Sequence, residues 1–339
     1  MGKEFNRLPT VITSSVIRSA HQGESHGGVY LVDLENGTYK QVIDWNNENI
    51  NWEGRGGDRG LRGIAFHKDR VYLAASDEIF VYDSKFNLLE SHKNKYLKIC
   101  HEICICNERL FITSTGYDSI IVFNLNTGKF EKGYCIRDTS TGKFLKTRLG
   151  RLSRRFRRKL RIKQSVKYDF SIFDPNSNSG PEENDTIHVN NVYCKNGDVF
   201  FSSSLYEYMF KIKNDSVQIF SNIPYGTHNP MPYKDGILLN NTYAKPKQIS
   251  FMSINGKIRE SYYIPHYQMD ELTHINLPKD HAVQSFARGL CTLNNEIFIG
   301  GSSPATISVY QVGHSQPIKS IRLTNDIRNA IHGLEIWPY

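Results

Sequence analysis

No apolar run in the sequence is long enough to cross a bilayer, and the polar first ten residues lack the apolar stretch of a secretory signal. The sequence also contains no Cys-x-x-Cys pair, Gly-rich phosphate loop, Gly-x-Ser-x-Gly motif or His-Glu-x-x-His motif. These absences remove the usual sequence signs of a membrane protein, a zinc ribbon, a nucleotide-binding loop and a serine hydrolase. We therefore expect a cytoplasmic protein.

Cysteine is sparse, with six residues in 339. Cys100, Cys104 and Cys106 follow the two-residue period of one face of a strand, and neighbouring residues on such a face are badly placed to form a disulfide. We therefore expect reduced cysteines in the core rather than disulfides or a zinc site.

Positive charge is concentrated in one segment of the chain. Residues 151–163 contain eight Arg or Lys and no acid, and the rest of the chain has 34 bases and 34 acids. Leu145, Leu149, Leu152, Phe156 and Leu160 have helical spacing, so residues 145–163 are predicted to form a basic amphipathic helix. Such a helix could bind an anionic membrane surface, cover the rest of the protein as a lid, or remain a loop. Nucleic-acid binding ranks last because no known nucleic-acid module accompanies it.

A unit of about 40 residues recurs along the chain, as in the blades of a β-propeller. It consists of an apolar strand, a polar turn, a second strand that ends in small polar residues, and two further strands. The first strands start near residues 62, 101, 190, 228, 288 and 332. The sequence therefore predicts an all-β, six-bladed β-propeller that forms one domain over residues 1–339.

The two ends of the sequence complement each other. Residues 332–338 resemble the first strand of a blade, whereas residues 10–14 resemble a second strand without a first. We therefore expect the C-terminal strand to close the N-terminal blade, which would remove exposed sheet edges.

Two connections, residues 138–185 and 265–285, are too long for simple turns, and long loops in compact domains are often functional. Each joins an outermost strand to the next innermost strand, so both are expected at the end of the central axis where the inner strands start. We call this end the axial mouth. The second connection contains polar groups suited to its rim: His266, Asp270, Glu271, His274 and His281.

The residues that start the six inner strands are charged or polar. His101, His188 and His228 start three adjacent blades, and three imidazoles could bind a divalent ion such as iron, zinc or manganese. Arg62, Arg288 and His332 start the other three and could receive a carboxylate or phosphate. The alternative is structural, in which these side chains bond to neighbouring blades and fill the channel with water.

Polar residues nearby extend the predicted substrate site. Asn190 and Asn229 lie next to the inner-strand histidines, while Tyr117 and Tyr243 recur in loops between second and third strands. Together they could form a hydrogen-bonding wall for a sugar-like ligand. The simpler alternative for each loop is turn chemistry with packing tyrosines.

Three motifs, His188-Val-Asn190-Asn191, His228-Asn-Pro230 and Phe286-Ala-Arg288-Gly289-Leu290, together resemble an uncharacterised bacterial family of six-bladed β-propellers. Asn191 replaces a glycine of that family's pattern, and the basic insertion departs from it. The resemblance covers blades two to six and implies the fold, but it implies no reaction.

The predicted function is that of a metal-assisted enzyme acting on a small anionic or sugar-acid substrate, by lyase, epimerase, hydrolase or oxygenase chemistry. No catalytic residue is identified by a motif. The alternative is a non-catalytic propeller that binds a glycan, a lipid or a protein. A peripheral membrane location through residues 145–163 is part of the same expectation.

Overall fold

The computed structural model describes residues 7–18, 24–46, 60–138, 168–276 and 283–339. These residues form six antiparallel sheets arranged as the blades of an all-β propeller. Two short 3-10 turns, Thr115–Tyr117 and Met269–Glu271, are the helical elements of this part of the chain. None of its helical segments is long and apolar enough to cross a bilayer.

Each blade is a meander whose strands follow chain order from the axis outward, except that blade one starts with the last strand of the chain. Blade one contains β25 (Asn329–Ile336), β1 (Thr10–Ile17), β2 (Gly27–Asp33) and β3 (Thr38–Asp44). Blade two contains β4 (Ile64–His67), β5 (Arg70–Ala74), β6 (Glu78–Asp83) and β7 (Leu88–Lys93). Blade three contains β8 (Ile103–Cys106), β9 (Arg109–Ser114), β10 (Ser119–Asn124), β11 (Lys129–Asp138) and β12 (Tyr168–Phe173).

The other three blades have four strands each. Blade four contains β13 (Val189–Lys195), β14 (Asp198–Ser203), β15 (Tyr208–Lys213) and β16 (Ser216–Asn222). Blade five contains β17 (Thr227–Tyr233), β18 (Gly236–Asn241), β19 (Gln248–Ser253) and β20 (Ile258–Tyr263). Blade six contains β21 (Leu290–Thr292), β22 (Ile297–Ser302), β23 (Thr306–Gln311) and β24 (Lys319–Arg322).

The core lies between the faces of adjacent blades. Middle strands such as β18 and β22 are buried along their whole length because both of their faces are covered. Between blades five and six, Phe298 stacks on Tyr310 at 5.1 Å and meets the edge of Tyr262 at 4.8 Å. Aromatic packing of this kind holds neighbouring blades in register.

The two ends of the described chain meet in blade one. β25 pairs with β1 in antiparallel register, with Val11 opposite Ile336 and Thr13 opposite Leu334. The register shifts between Thr13 and Ser15. The inner strand of blade one therefore comes from the far end of the sequence.

The first long connection is partly a strand. β12 adds a fifth strand to the outer edge of blade three, with Tyr134 opposite Ile172. After it, the chain returns towards the axis and Asn184 N donates to Gly116 O. The predicted basic helix at 145–163 lies outside the described residues. His281 also lies outside the described residues.

The expectation that all cysteines are reduced is wrong. Cys104 on β8 and Cys194 on β13 form a disulfide that joins the inner strands of blades three and four, with their Cα atoms 5.9 Å apart. The partners are 90 residues apart, so spacing along one strand carried no information about the pairing. Cys100, Cys106, Cys135 and Cys291 are buried and free.

Glycine allows the inner strands to approach each other near the mouth. Gly333 of blade one faces blade two, and a Cβ at this position would lie 2.2 Å from Arg62 O and 2.8 Å from Ile64 Cγ1. A comparable approach occurs at Gly63, where a Cβ would lie 2.7 Å from His101 O. Because backbone atoms cannot move aside cheaply, these positions require a residue without a side chain.

We predict that Gly333→Ala lowers the free energy of unfolding by about 3 kcal/mol, at the upper end of overpacking costs. Gly128→Ala is the control, since its Cβ would meet nothing within 4 Å. The control should cost only about 1 kcal/mol, because Gly128 has a φ of +65°. Urea denaturation measures both, and equal costs would contradict the close approach at Gly333.

Candidate functional site

Side-chain hydrogen bonds link the starts of several inner strands to the next blade. Arg62 Nη1 of blade two lies 3.0 Å from His101 Nε2 of blade three, and Arg288 Nη1 of blade six lies 2.7 Å from His332 Nε2 of blade one. Because a guanidinium can only donate, both Nε2 atoms accept. The predicted anion-binding arc is thus divided between two Arg–His pairs.

The other ring nitrogen of each paired histidine is also engaged. His101 Nδ1 lies 2.9 Å from Ile99 O, and His332 Nδ1 lies 3.2 Å from Ala330 O. Since a carbonyl only accepts, each Nδ1 carries the proton and each ring is neutral. Burial first, and the nearby arginines second, lower the pKa of both imidazoles well below the usual value.

His228 has the opposite tautomer. Its Nδ1 lies 2.9 Å from Asn190 Nδ2, which donates, so the neutral ring carries its proton on Nε2. Burial, then the charge of Arg288, lowers the pKa of His228 well below its usual value. The ring meets the face of Phe286 at 5.5 Å.

His188 is held in place by two aspartates. Asp185 Oδ1 accepts from His188 Nδ1 at 3.0 Å, so Nδ1 carries a proton. Asp118 accepts from the backbone N–H groups of Thr186 at 2.8 Å and His188 at 3.0 Å. Burial raises the pKa of Asp118 to about 6. These bonds hold His188 at a φ of +61°, a left-handed conformation that is costly for histidine.

The predicted three-histidine metal site stays a prediction. Among the described residues, no three His, Cys, Asp or Glu side chains are grouped so that they could share a metal ion. His101 and His188 rings lie 5.3 Å apart, but both nitrogens of His101 are already bonded. His188 and His228 instead face a cavity.

This mouth cavity has a volume of about 380 Å³ and lies between blades four, five and six at the axial mouth. Its walls come from inner-strand starts, from loops between second and third strands and from the end of the second long connection. The lining residues are His188, Ser204, Leu205, His228, Thr242, Tyr243, Lys247, Val283, Phe286 and Arg288.

The lining is cationic and partly apolar. Lys247 Nζ and the Arg288 guanidinium lie 5.5 Å and 5.1 Å from the centre of the Phe286 ring. Burial lowers the pKa of Lys247. No Asp or Glu is among the residues that line the cavity. The cavity therefore offers a positive field beside an aromatic surface.

The structure distributes the predicted substrate residues over several places. Tyr243 lies at the cavity and is 59% exposed, whereas Tyr117 packs on Tyr96 at 5.3 Å, away from the cavity lining. Asn190 positions His228, and Asn229 Nδ2 donates to Glu102 Oε1 at 3.0 Å. Of the predicted residues in the second connection, His266 bonds Ser285 and His274 approaches Asp326.

Sequence reasoning missed Lys247, Phe286 and Asp118. Lys247 and Phe286 lie on segments whose position at the mouth was predictable, but no motif marked them as lining residues. Asp118 accepts a hydrogen bond from Thr186, which lies 68 residues further along the chain, so no local sequence pattern could have indicated this role of Asp118.

A second enclosed space, the lower chamber, follows the inner strands away from the mouth and has a volume of about 270 Å³. Glu102 and Glu335 line it. Burial raises the pKa of each carboxyl to about 8. Glu102 also raises the pKa of Glu335 by charge repulsion.

No family model matches the chain, and no curated protein matches it. Solved structures that are similar include the nidogen/laminin complex, with a TM-score of 0.52 and 9% identity over 96% of this chain and 97% of that one. The WD40 β-propeller domain of Doa1 has a TM-score of 0.44 and 12% identity, over 78% and 68% of the two chains. Virginiamycin B lyase from Staphylococcus aureus has a TM-score of 0.38 and 12% identity, over 76% and 71%.

At this low identity, the likeness to the nidogen/laminin structure shows the fold alone. The chain is thus a six-bladed β-propeller, as the repeats predicted. Its membership of the bacterial family with the three resembling motifs stays a prediction.

Folding raises the pKa of Glu335 from 4.5 to about 8, so the folded protein keeps a proton that the unfolded chain loses above pH 4.5. The contribution of this proton to the free energy of unfolding is fully present below about pH 4.5, and it is lost as the pH rises through about 8. We compare the Tm of Glu335→Gln with that of wild type at each pH. We predict that this difference shifts in favour of the variant by at least about 2 °C when the pH is raised from 5 to 9.

Glu207→Gln is the matched control, because Glu207 is exposed and the substitution removes the same charge. Differential scanning calorimetry over this pH range gives both differences. A Tm difference for Glu335→Gln that is independent of pH, as expected for the control, would show that Glu335 titrates normally in the folded protein.

Proposed function

We propose that the mouth cavity binds a small organic anion and that the protein is an enzyme acting on this anion by proton transfer. The observation that carries the proposal is the lining of the cavity, in which Lys247, Arg288 and two imidazoles occur without any carboxyl group. A field of one sign in a concave site selects ligands of the opposite sign.

The volume and walls favour an anionic group on a compact body. About 380 Å³ is at the lower end of small-molecule sites. Leu205, Val283 and Phe286 supply apolar surface, while Ser204 and Thr242 supply hydroxyl groups. A compound such as a sugar acid would match both the charged and the uncharged walls. Its carboxylate or phosphate would lie near Lys247 and Arg288, and its compact body would contact the apolar and hydroxyl groups.

The two cavity histidines have complementary roles in this proposal. In this proposal His188 acts as a neutral ring, with its proton on Nδ1 bonded to Asp185 and with Nε2 as the acceptor. His228 carries its proton on Nε2 because Asn190 donates to Nδ1. His188 Nε2 would take a proton from the carbon next to the carboxylate, and the electron pair would move into the carboxylate. His228 Nε2 would donate a hydrogen bond to the oxygen on which charge develops, and the protonated His188 would return the proton to carbon or to a leaving oxygen, as in an epimerase or a lyase.

This proposal contains no metal-dependent step. The described residues offer two imidazoles at the cavity, His188 and His228, in place of the three that the sequence predicted. Lys247 and Arg288 would stabilise the negative charge that develops on the substrate.

A non-catalytic glycan-binding propeller remains the second candidate function. It is favoured by Tyr243, which is 59% exposed at the rim and packs edge-on against Tyr225 at 5.1 Å. Exposed aromatic side chains at a cavity rim are suited to stacking on a sugar ring.

Anion binding is tested with Lys247→Met, and exposed Lys257→Met is the matched control. The probes are inorganic phosphate, malonate and galacturonate, measured by isothermal titration calorimetry. We predict that at least one probe binds wild type and the control alike, and that Lys247→Met weakens binding about tenfold through loss of a charged contact. Failure of all three probes to bind, or equal binding by both variants, would contradict the proposal.

Proton transfer is tested separately by incubating sugar acids and 2-hydroxy acids with the protein in D2O. We predict deuterium incorporation at the carbon next to the carboxylate, detected by mass spectrometry and lost in His188→Gln. Probe binding by calorimetry should survive in that variant, because Lys247 and Arg288 remain. Binding without exchange in wild type would favour the non-catalytic candidate.

A further inference from the structure

Lys247 is directed into the mouth cavity rather than into solvent. It immediately precedes β19 of blade five, and its Nζ donates to Gln284 O at 2.9 Å in the connection that leads into blade six. The side chain is half-buried, and Nζ lies 5.5 Å from the centre of the Phe286 ring. The amino group is therefore held at the cavity wall by contacts with the neighbouring connection.

The surroundings of this amino group contain no acid. Among the described residues, its hydrogen-bond partner is a backbone carbonyl, and no carboxylate lies within ion-pair distance of it. No Asp or Glu lines the cavity, whereas Leu205, Val283 and Phe286 do. A partly buried lysine ordinarily has an acidic partner, and without one the neutral amine is favoured. Burial accordingly lowers the pKa of Lys247.

A second cationic group shares the same aromatic surface but has different chemistry. The Arg288 guanidinium lies 5.1 Å from the centre of the Phe286 ring, at the start of blade six. A guanidinium keeps its charge in proteins and matches the geometry of a carboxylate, whereas a desolvated lysine can become a free amine. The two residues can therefore act on different parts of one ligand.

We propose that Lys247 is a nucleophile that forms an imine with a 2-oxo acid bound in the mouth cavity. In a 2-oxo acid the carbonyl carbon is bonded directly to the carboxylate. An amine that shares a wall with a carboxylate-binding guanidinium is thus suited to attack that carbon. This inference rests on the anion binding proposed above, to which it adds a covalent step and a substrate class.

The covalent step needs no group beyond those of the cavity. With His188 as the neutral ring proposed above, its Nε2 accepts a proton from the Lys247 ammonium group. The free Nζ then bonds to the carbonyl carbon, and the π electrons of the carbonyl move to its oxygen, which receives a second proton from Nζ. His188 returns the first proton to this oxygen, water leaves, and the nitrogen lone pair completes the C=N bond. The ammonium group and the oxo acid thus give a protonated imine and one water molecule.

The size and walls of the cavity suit this substrate class. A volume of about 380 Å³ accommodates a short oxo acid, and Leu205 and Val283 provide apolar surface for its carbon chain. The apolar wall also limits the access of water, which would hydrolyse the imine.

The test is reductive trapping with the full chain and with pyruvate as the probe. Sodium cyanoborohydride reduces an imine to a stable secondary amine, which intact-mass and peptide mass spectrometry locate. We expect one adduct per chain, at Lys247, near neutral pH. Lys247→Arg keeps the charge but lacks the amine, so the labelled fraction should fall at least about tenfold. Lys257→Arg, which changes an exposed lysine, should be labelled as wild type is.

Malonate serves as a competitor, because it has carboxylates but no reactive carbonyl. We expect it to slow the labelling of Lys247 and to leave any labelling of exposed lysines unchanged. The proposal is overturned if no adduct forms, if Lys247→Arg is labelled as wild type is, or if the adducts are spread over exposed lysines. Near-ultraviolet circular dichroism shows that each variant remains folded.

Calorimetric anion binding separates failure of this inference from failure of the proposed function. Wild type that binds phosphate, malonate or galacturonate but gives no pyruvate adduct contradicts imine formation alone. Wild type that neither binds these anions nor forms an adduct contradicts the anion site as well.

Discussion

Hydrogen bonds between neighbouring inner strands at the mouth are the interactions on which the rest of the structure depends. Each of the pairs Arg62–His101 and Arg288–His332 joins two blades, and each histidine passes its second hydrogen bond to a backbone carbonyl. Glycines lie at both junctions, since a Cβ at Gly63 would lie 2.7 Å from His101 O and a Cβ at Gly289 would lie 2.8 Å from His332 O. The axis therefore contains hydrogen-bonded polar side chains rather than an apolar core.

The same pairing separates structural residues from those that can meet a ligand. His101 and His332 use both ring nitrogens within the protein, whereas His188 and His228 each keep one nitrogen at the mouth cavity. Two of the four axial histidines thus hold blades together, and two face the site. The mouth cavity contains Lys247 and Arg288, whereas the lower chamber contains the carboxyl groups of Glu102 and Glu335.

The sequence predicted the blades well because each repeat is local. Strand pairs such as β8 and β9 are short, apolar and joined by tight turns, and their repetition was enough to count six blades. The sequence also located the residues that start the inner strands. The sequence could not determine which of these residues pair with each other. Arg62 and His101, for example, lie on different blades and come together only in the folded structure.

The errors share that origin. The Cys104–Cys194 disulfide and the hydrogen bond that Thr186 donates to Asp118 join residues that are distant in sequence, and single-strand periodicity contains no information about such contacts. The metal site inferred from three histidines in equivalent positions stays a prediction, because equivalence along the repeat does not fix where a ring nitrogen is directed. Glu335 was overlooked because the chamber that it lines is formed by residues from six separate strands.

The assignment of structural and ligand-facing histidines is tested most directly by long-range 1H–15N NMR of histidine-labelled protein at pH 6. The account predicts that His101 and His332 are neutral with the proton on Nδ1, and that His228 is neutral with the proton on Nε2. Single His→Gln variants assign the signals. A doubly protonated His101 or His332 would contradict the pairing at the axis. A His228 protonated on Nδ1 would contradict the hydrogen-bond donor proposed at the mouth.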